Sequence, residues 1–284
     1  MWEDDAAGRC DALPPAAAPR SCSVPTRAAR ARTGAPHGPG VDPARLGTSG
    51  GRGGIMANTR TKSRTAATTP RSERAQQQAV VRELLRRHGT TYAEDAGITL
   101  RDTPQPLYRL LVLSLLLSAR IRADIAVAAA RALSRAGMRD PRRMADAGWQ
   151  QRVDALGEGG YRRYDERTAT QLGRGAELLL DRWGGDLRRM RRSGDVAAAL
   201  REVPGIGPLG VSIFLREAQA VWPEYRPWLD QKALQGAERL GLPASAEELA
   251  GLVREDELAP LAAGLVRVAL GKDVAEDVWD AARG

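Results

Sequence analysis

Cysteine is nearly absent from this 284-residue chain, and its two cysteines, Cys10 and Cys22, both lie close to the start. The rest of the chain therefore cannot build a disulfide framework or hold a metal through thiolates. Long apolar runs are missing too, since none reaches the roughly 18–20 residues that a membrane-spanning helix needs. Three of the first five residues are acidic where a secretory or transit peptide would be basic, so we expect a soluble, cytoplasmic protein.

Large apolar side chains are also scarce in residues 1–75, which consist mainly of Ala, Arg, Gly, Pro, Ser and Thr. Such a segment buries too little apolar surface to offset its chain entropy. We therefore predict a disordered basic leader over residues 1–75 and a globular domain over residues 76–284. Met56 follows a glycine-rich stretch and precedes a basic arm. It is either the true start of the protein or an internal residue that follows a natural extension.

The formal net charge of +8 suggests a polyanionic partner. However, residues 1–75 hold 12 of the basic and only 6 of the acidic residues, which leaves 31 basic and 29 acidic residues for the rest. The globular part is thus close to neutral. Nucleic-acid binding has to be inferred from local motifs, because a solvated arginine-rich surface explains the composition equally well.

The sequence pattern is helical almost throughout from Glu73 onward, and it lacks both alternating β-branched runs and Asn-Gly hairpin turns. Leu107–Leu117 is nearly continuously apolar and too long for a lone strand, which predicts a buried core helix. Ala169–Trp183 predicts a long helix that ends at Gly184 and Gly185. The other predicted helices run from Ala79 to Leu85, Ala123 to Leu133, Val196 to Leu200, Leu209 to Val221, Gln231 to Leu240, Ala246 to Val253, and Leu258 to Leu270. We predict an all-α fold of roughly ten short helices.

The segment 200–210 reads Leu-Arg-Glu-Val-Pro-Gly-Ile-Gly-Pro-Leu-Gly and predicts two helices joined by a tight turn. Gly205 and Gly207 permit a positive φ and a close approach of a ligand to the backbone. Ile206 is expected to lock the two helices together, and Pro208 favours the start of the second helix. Free amides at a helix N-terminus suit a phosphate oxygen. The alternative is an ordinary helix-turn-helix loop with glycine punctuation.

A second motif, Pro-Trp-Leu-Asp-Gln-Lys at 227–232, follows about twenty residues after this hairpin. A Pro-Gly-Ile-Gly hairpin followed at this spacing by an apolar residue and Asp resembles the signature of the helix-hairpin-helix (HhH-GPD) base-excision DNA glycosylases, such as endonuclease III. Leu-Leu-Leu-Ser-Ala-Arg at 115–120 is similar to the Leu-Leu-Ser-Ala-Gln of that family. The resemblance covers about residues 79–271. It implies a monomeric, two-lobed all-α fold that binds double-stranded DNA across the cleft between its lobes.

The resemblance also implies roles for individual residues. Asp230 matches the catalytic aspartate, whose carboxylate stabilises positive charge on the sugar or orients the attacking water. Alternatively, Asp230 only N-caps the following helix. Arg120 stands where relatives fill the gap left by a flipped base, unless it is a solvated helix-end cation. The arginine pairs at 162–163, 188–189 and 191–192 are either phosphate contacts or plain surface. The residues expected to contact DNA are Val203, Gly205, Ile206, Gly207, Leu209, Gly210, Arg120 and Lys232.

Two departures from the family narrow the expected activity. Leu209 stands where bifunctional members carry a lysine nucleophile, and Lys232 is expected to point away from Asp230, so we expect no lyase step. The cysteines of the iron–sulfur cluster are missing, so we expect no cluster and no metal, although the hairpin leaves room for a monovalent cation. We predict a monofunctional DNA N-glycosylase of base-excision repair. The alternative is a non-catalytic DNA-binding protein derived from the same fold.

Overall fold

The computed structural model describes residues 70–283, and all regular secondary structure in that range is helical. The α-helices are α1 (Pro70–His88), α2 (Tyr92–Asp95), α3 (Pro104–Leu117), α4 (Ala123–Arg135), α5 (Pro141–Asp146), α6 (Trp149–Glu158), α7 (Asp165–Trp183), α8 (Leu187–Arg192), α9 (Val196–Arg201), α10 (Pro208–Ala218), α11 (Gln231–Arg239), α12 (Ala246–Ala250), α13 (Leu258–Leu270) and α14 (Lys272–Arg283). Two short 3₁₀ helices span Pro223–Tyr225 and Glu255–Glu257. The predicted all-α fold class is confirmed.

Short side chains set many of the helix ends. Asp140, Asp195 and Asp230 each accept a hydrogen bond from a backbone amide in the first turn of the helix that follows, at 2.9–3.0 Å. These bonds satisfy amides that have no partner within the helix. At the other end of α7, Gly184 and Gly185 adopt φ values of 60° and 78°, and their amides return to carbonyls in the last turn. That is the glycine C-cap expected from the sequence.

The helices form two groups that share one hydrophobic core. In the first group α3 packs on α4, α4 on α6, and both α5 and α6 on α7. In the second group α13 packs on α1, α11 and α14. Helix α10 contacts α3 of the first group and α13 of the second, and its Phe214 is fully buried. The segment that follows the predicted hairpin therefore lies where the two groups meet.

Helix α11 crosses α13 at unusually short range. A Cβ atom placed on Gly236 of α11 would overlap the carbonyl oxygen of Leu265 in α13. Only glycine permits two helix backbones to approach this closely. This contact fixes the position of α11 relative to α13, and therefore also the position of Asp230 at the N-terminus of α11.

Helix α1 begins at Pro70, six residues before the predicted start of the globular domain at residue 76, and the boundary itself stays a prediction. A proline in the first turn and an acidic Glu73 both favour a helix start there. Arg74 also donates a hydrogen bond to the Gly251 carbonyl at 2.8 Å, which ties this turn to the second helix group. The rest of the predicted leader, including Met56, lies outside the described residues.

Other helices also differ from the sequence prediction. Helix α7 begins at Asp165 rather than Ala169, and α14 over Lys272–Arg283 had no counterpart in the sequence prediction. Nowhere in residues 70–283 is a helix long and apolar enough to cross a membrane.

Candidate functional site

A tight turn joins α9 and α10, as the sequence predicts, but of the two glycines expected to allow a positive φ only Gly205 adopts one. Val203 and Ile206 are both buried, with 4% of their surface exposed, and they lock the turn onto the core. Gly205 has φ +90°, and a Cβ there would lie 2.9 Å from the side chain of Gln171 in α7. Both the backbone conformation and the packing therefore require glycine at residue 205.

Three backbone amides at the start of α10 have no acceptor. Within the described residues, the amide of Ile206 donates to the Val203 carbonyl and that of Val211 to the Gly207 carbonyl, whereas no acceptor faces the amides of Gly207, Leu209 and Gly210. Pro208 has no amide to donate. The hairpin thus presents three free N–H groups at the positive end of the α10 dipole, which is the arrangement that binds phosphate oxygens.

Gly207 differs from Gly205 in what surrounds it. Its φ of −93° and ψ of −173° are accessible to any residue. A Cβ on Gly207 would meet no atom within 4 Å. Nothing inside the described fold therefore requires glycine at this position, and its bare backbone faces open space where a ligand can approach.

The structure narrows how the other predicted hairpin residues could meet DNA. The side chains of Val203 and Ile206 point into the core, and Gly210 is packed against Ile206 and Ser118. These three residues could therefore bind DNA only through their backbone groups and not through their side chains. Leu209, in contrast, is 53% exposed.

Asp230 is the N-cap of α11 and is bound on both carboxylate oxygens. Its Oδ1 accepts the Ala233 amide at 2.9 Å. Its Oδ2 accepts the Ser212 hydroxyl at 3.0 Å and Nη1 of Arg216 at 2.7 Å. Asp230 therefore caps α11, and its catalytic role stays a prediction. Because Ser212 and Arg216 both lie on α10, these bonds also couple Asp230 to the helix that carries the free amides.

The ion pair between Asp230 and Arg216 is nearly enclosed. The Asp230 side chain is 10% exposed and that of Arg216 only 4%. Nε of Arg216 is buried and has no hydrogen-bond partner among the described residues. Sequence reasoning missed Arg216. The signal that could have revealed it is a charged residue within the otherwise apolar run of α10, four residues after Ser212 and so on the same helix face.

The neighbouring Glu217 of α10 is also buried. Its carboxylate accepts the amides of Tyr92 and Ala93 at 3.2 and 3.0 Å, which joins α10 to the start of α2. Burial raises the pKa of Glu217, although the hydrogen bonds from the two amides and the charge of Arg216 oppose that shift. Glu217 therefore has a structural role, because it connects α10 to α2 within the core.

Lys232 does not reach Asp230. Its Nζ donates to Oε1 of Gln235 at 2.8 Å, on the exposed side of α11. This agrees with the expectation that Lys232 points away from Asp230. Since Leu209 carries no amine either, neither residue offers Asp230 a neighbouring nucleophile.

Arg120 lies in the turn after α3 and is exposed. Ser118 of the same turn would lie 3.8 Å from a Cβ on Gly210, so this turn adjoins the hairpin. Arg162 and Arg163 are exposed in the loop before α7, and Arg163 stacks over a tyrosine ring. Their roles in binding DNA stay predictions.

Two of the four arginines of α8 form ion pairs with acidic side chains. Arg188 pairs with Asp186, and Arg191 pairs with both Asp102 and Glu224. Such pairing lowers the positive charge available for phosphate. In residues 70–283, moreover, no three His, Cys, Asp or Glu side chains converge as metal ligands.

The two helix groups enclose a cleft of about 1030 Å³. Residues 121–135 form one wall and residues 267–274 the other, and Arg131, Arg267 and the exposed Leu270 line it. Asp230 does not line this cleft. The carboxylate of Asp230 is therefore not exposed to this cleft.

The chain matches no family model and no curated protein. A solved structure of a trapped endonuclease III–DNA covalent intermediate is similar to this chain at 14% sequence identity. The match covers 55% of this chain and 70% of the endonuclease III chain, with a TM-score of 0.38. A likeness at this level does not place the chain in that family.

Proposed function

We propose that this chain binds double-stranded DNA through the hairpin at 203–210. The observation that carries the proposal is the set of free amides of Gly207, Leu209 and Gly210 at the start of α10. In addition, the space beside Gly207 is open, although the fold does not require glycine there. Backbone amides bind phosphate oxygens and carry no base information. The binding should therefore be independent of sequence and should weaken as salt is raised.

A titration of fluorescent duplexes of unrelated sequence tests this proposal. We expect similar dissociation constants for all of them, and a linear fall of log affinity with log salt concentration. Affinity for one sequence alone would contradict backbone recognition, and an absence of binding would refute the proposal.

We further propose that the chain hydrolyses the N-glycosidic bond of a flipped base, with Asp230 as the catalytic carboxylate. The support is the position of Asp230, which is hydrogen-bonded to Ser212 on the helix that carries the free amides. A fixed carboxylate beside the bound backbone stabilises positive charge that develops on the sugar. Leu209 provides no amine, so the reaction would stop at base release without cleaving the strand.

One observation favours the alternative of a non-catalytic DNA-binding protein. The Arg216 guanidinium, 2.7 Å from Asp230, already neutralises the carboxylate that would have to stabilise a sugar cation. A buried cation at this distance opposes a second cation nearby. For catalysis the pair would have to separate, so that Asp230 faces the sugar without Arg216.

A panel of duplexes, each with one damaged or mismatched base, separates the two proposals. Base release is revealed by strand breakage in hot alkali after incubation with the protein. Removing Asp230 alone leaves Arg216 as a buried unpaired charge, which typically costs about 3–5 kcal/mol of stability. The proper comparison is therefore the double variant Asp230→Asn/Arg216→Met, since replacing both partners of a buried pair is often close to neutral.

We expect the wild type to release a base from one of these duplexes, and the double variant to retain DNA affinity and lose base release. If the wild type releases no base while it binds every duplex, the non-catalytic proposal stands. If the double variant still releases the base at the wild-type rate, Asp230 is not the catalytic residue.

A further inference from the structure

Helix α7 packs along the hairpin turn. Gln171 is the side chain that a Cβ on Gly205 would strike, and Val203 lies against Gly175 one turn further along α7. One edge of the exposed α7 surface is therefore continuous with the hairpin.

An exposed tryptophan borders the opposite edge of that surface. Trp149, at the start of α6, is 43% exposed. Its Nε1 donates to Oγ1 of Thr170 in α7 at 3.1 Å, and the Thr170 hydroxyl in turn donates to the Glu166 carbonyl at 3.0 Å. The indole is thus held in a fixed orientation with much of its ring accessible to solvent.

Two unpaired arginines lie between the hairpin and the tryptophan. Successive residues are rotated by about 100° around a helix axis. Viewed down α7 and measured from Gln171, Arg167 lies at about 40°, Arg174 at about 60° and Thr170 at about 100°, all in the same direction. Both arginines are exposed, and across residues 70–283 neither forms an ion pair or hydrogen bond. The acidic side chains of α7 that flank them are Asp165 and Glu166 on one side and Glu177 on the other. We call Arg167, Thr170, Gln171 and Arg174 the α7 strip.

We infer that the α7 strip carries single-stranded DNA from the hairpin to Trp149, so that the preferred ligand is a duplex with a single-stranded extension. The inference rests on the proposed binding of duplex DNA by the hairpin. Cationic side chains followed by an exposed aromatic ring are the combination that binds unpaired nucleotides. Bases inside a duplex are already stacked, so the Trp149 ring offers a stacking surface only to an unpaired base.

Anisotropy titrations of the full chain test the ligand class. The probes are a blunt duplex and the same duplex with a short thymidine extension on either the 3′ or the 5′ end. Stacking of one base on an aromatic ring corresponds to roughly tenfold in affinity. We expect a gain of that size for one polarity, and equal affinity for the blunt duplex and the other polarity. Equal affinity for all three probes would overturn the inference.

Salt dependence tests the arginines. Each contact between a cation and a single-strand phosphate contributes about 0.7 to the slope of log affinity against log salt. We expect Arg167→Ala and Arg174→Ala each to reduce the slope by about that amount on the extended duplex, and not on the blunt one. Arg82→Ala is the matched control, because Arg82 is an exposed and unpaired arginine on α1 in the other helix group. Slopes unchanged from that control would overturn the inference.

Trp149 variants test the stacking surface. Trp149→Leu should lose roughly tenfold on the extended duplex and nothing on the blunt duplex, whereas Trp149→Phe should keep most of the affinity. Thermal unfolding shows whether each variant is folded. Equal affinity of the folded Trp149→Leu variant and the wild type for the extended duplex would refute the role of the ring.

The outcomes also separate this inference from the proposed function. Binding of the blunt duplex without any gain from an extension would leave the hairpin proposal intact and remove the α7 strip. Binding of none of the probes would overturn both.

Discussion

Replacing Gly207 by aspartate should make the protein more stable and at the same time weaken its grip on DNA. Gly207 is the N-cap of α10, its backbone is extended, and its missing side chain faces open space. Aspartate is among the preferred N-cap residues, and its charge interacts favourably with the helix dipole, so we expect a gain of a few tenths of a kcal/mol. The same carboxylate would accept hydrogen bonds from the amides of Leu209 and Gly210, which would then no longer be free to bind a DNA phosphate.

The loss of affinity can be worked out from the charges. Two like charges about 6 Å apart repel by about 3 kcal/mol at an effective dielectric constant of about 20, which corresponds to roughly a hundredfold in affinity. Gly207→Asn has nearly the same shape without the charge and should lose far less. Gln78→Glu on α1 makes the same change in net charge on an exposed position of the other helix group. Anisotropy titration and thermal unfolding measure both effects. If Gly207→Asp binds duplex as tightly as Gln78→Glu, these amides do not hold DNA.

Three further outcomes follow from the geometry. Asp230→Asn alone should lower the free energy of unfolding by about 3–5 kcal/mol, and adding Arg216→Met should restore most of that loss. Chemical denaturation measures both values. A small loss in the single variant would mean that the pair is not buried. Borohydride treatment during incubation with damaged DNA should trap no covalent adduct, because Leu209 carries no amine, and an adduct seen by electrophoresis would reveal another nucleophile. The raised pKa of Glu217 implies that its contribution to stability is largest below about pH 4.5 and is lost as the pH rises through the folded-state pKa. Glu217→Gln should remove that component from the pH profile of unfolding, and parallel wild-type and variant profiles would contradict it.

The sequence predicts the helices whose apolar residues recur over several turns. Leu107–Leu117 coincides with the end of α3, and Leu258–Leu270 coincides with α13. Helices α5 and α8 were missed because each is short and buries only two residues, which is too few for a recurring apolar pattern. Helix α14 was missed although Ala275 and Val278 are spaced to face α1, because its charged residues mask the pattern.

The candidate site was predictable where it depends on local chain geometry. The turn at Gly205 and the cap at Asp230 follow from short segments of sequence. The ion pair of Asp230 with Arg216 joins residues that are 14 positions apart on two helices. It depends on how α10 and α11 face each other, which local sequence does not specify. That contact is also the one that bears most on whether Asp230 is catalytic.

The close crossing of Gly236 over Leu265 limits how this site could diverge through evolution. Helix α11 cannot slide along α13 without forcing two backbones apart, so the scaffold fixes the location of Asp230. Its ionic partner is a side chain on α10, where substitution of Arg216 would change the charge beside the carboxylate and leave Asp230 as a buried charge without a partner. New chemistry at this position would therefore arise more readily from mutation of residue 216 than from rearrangement of the fold.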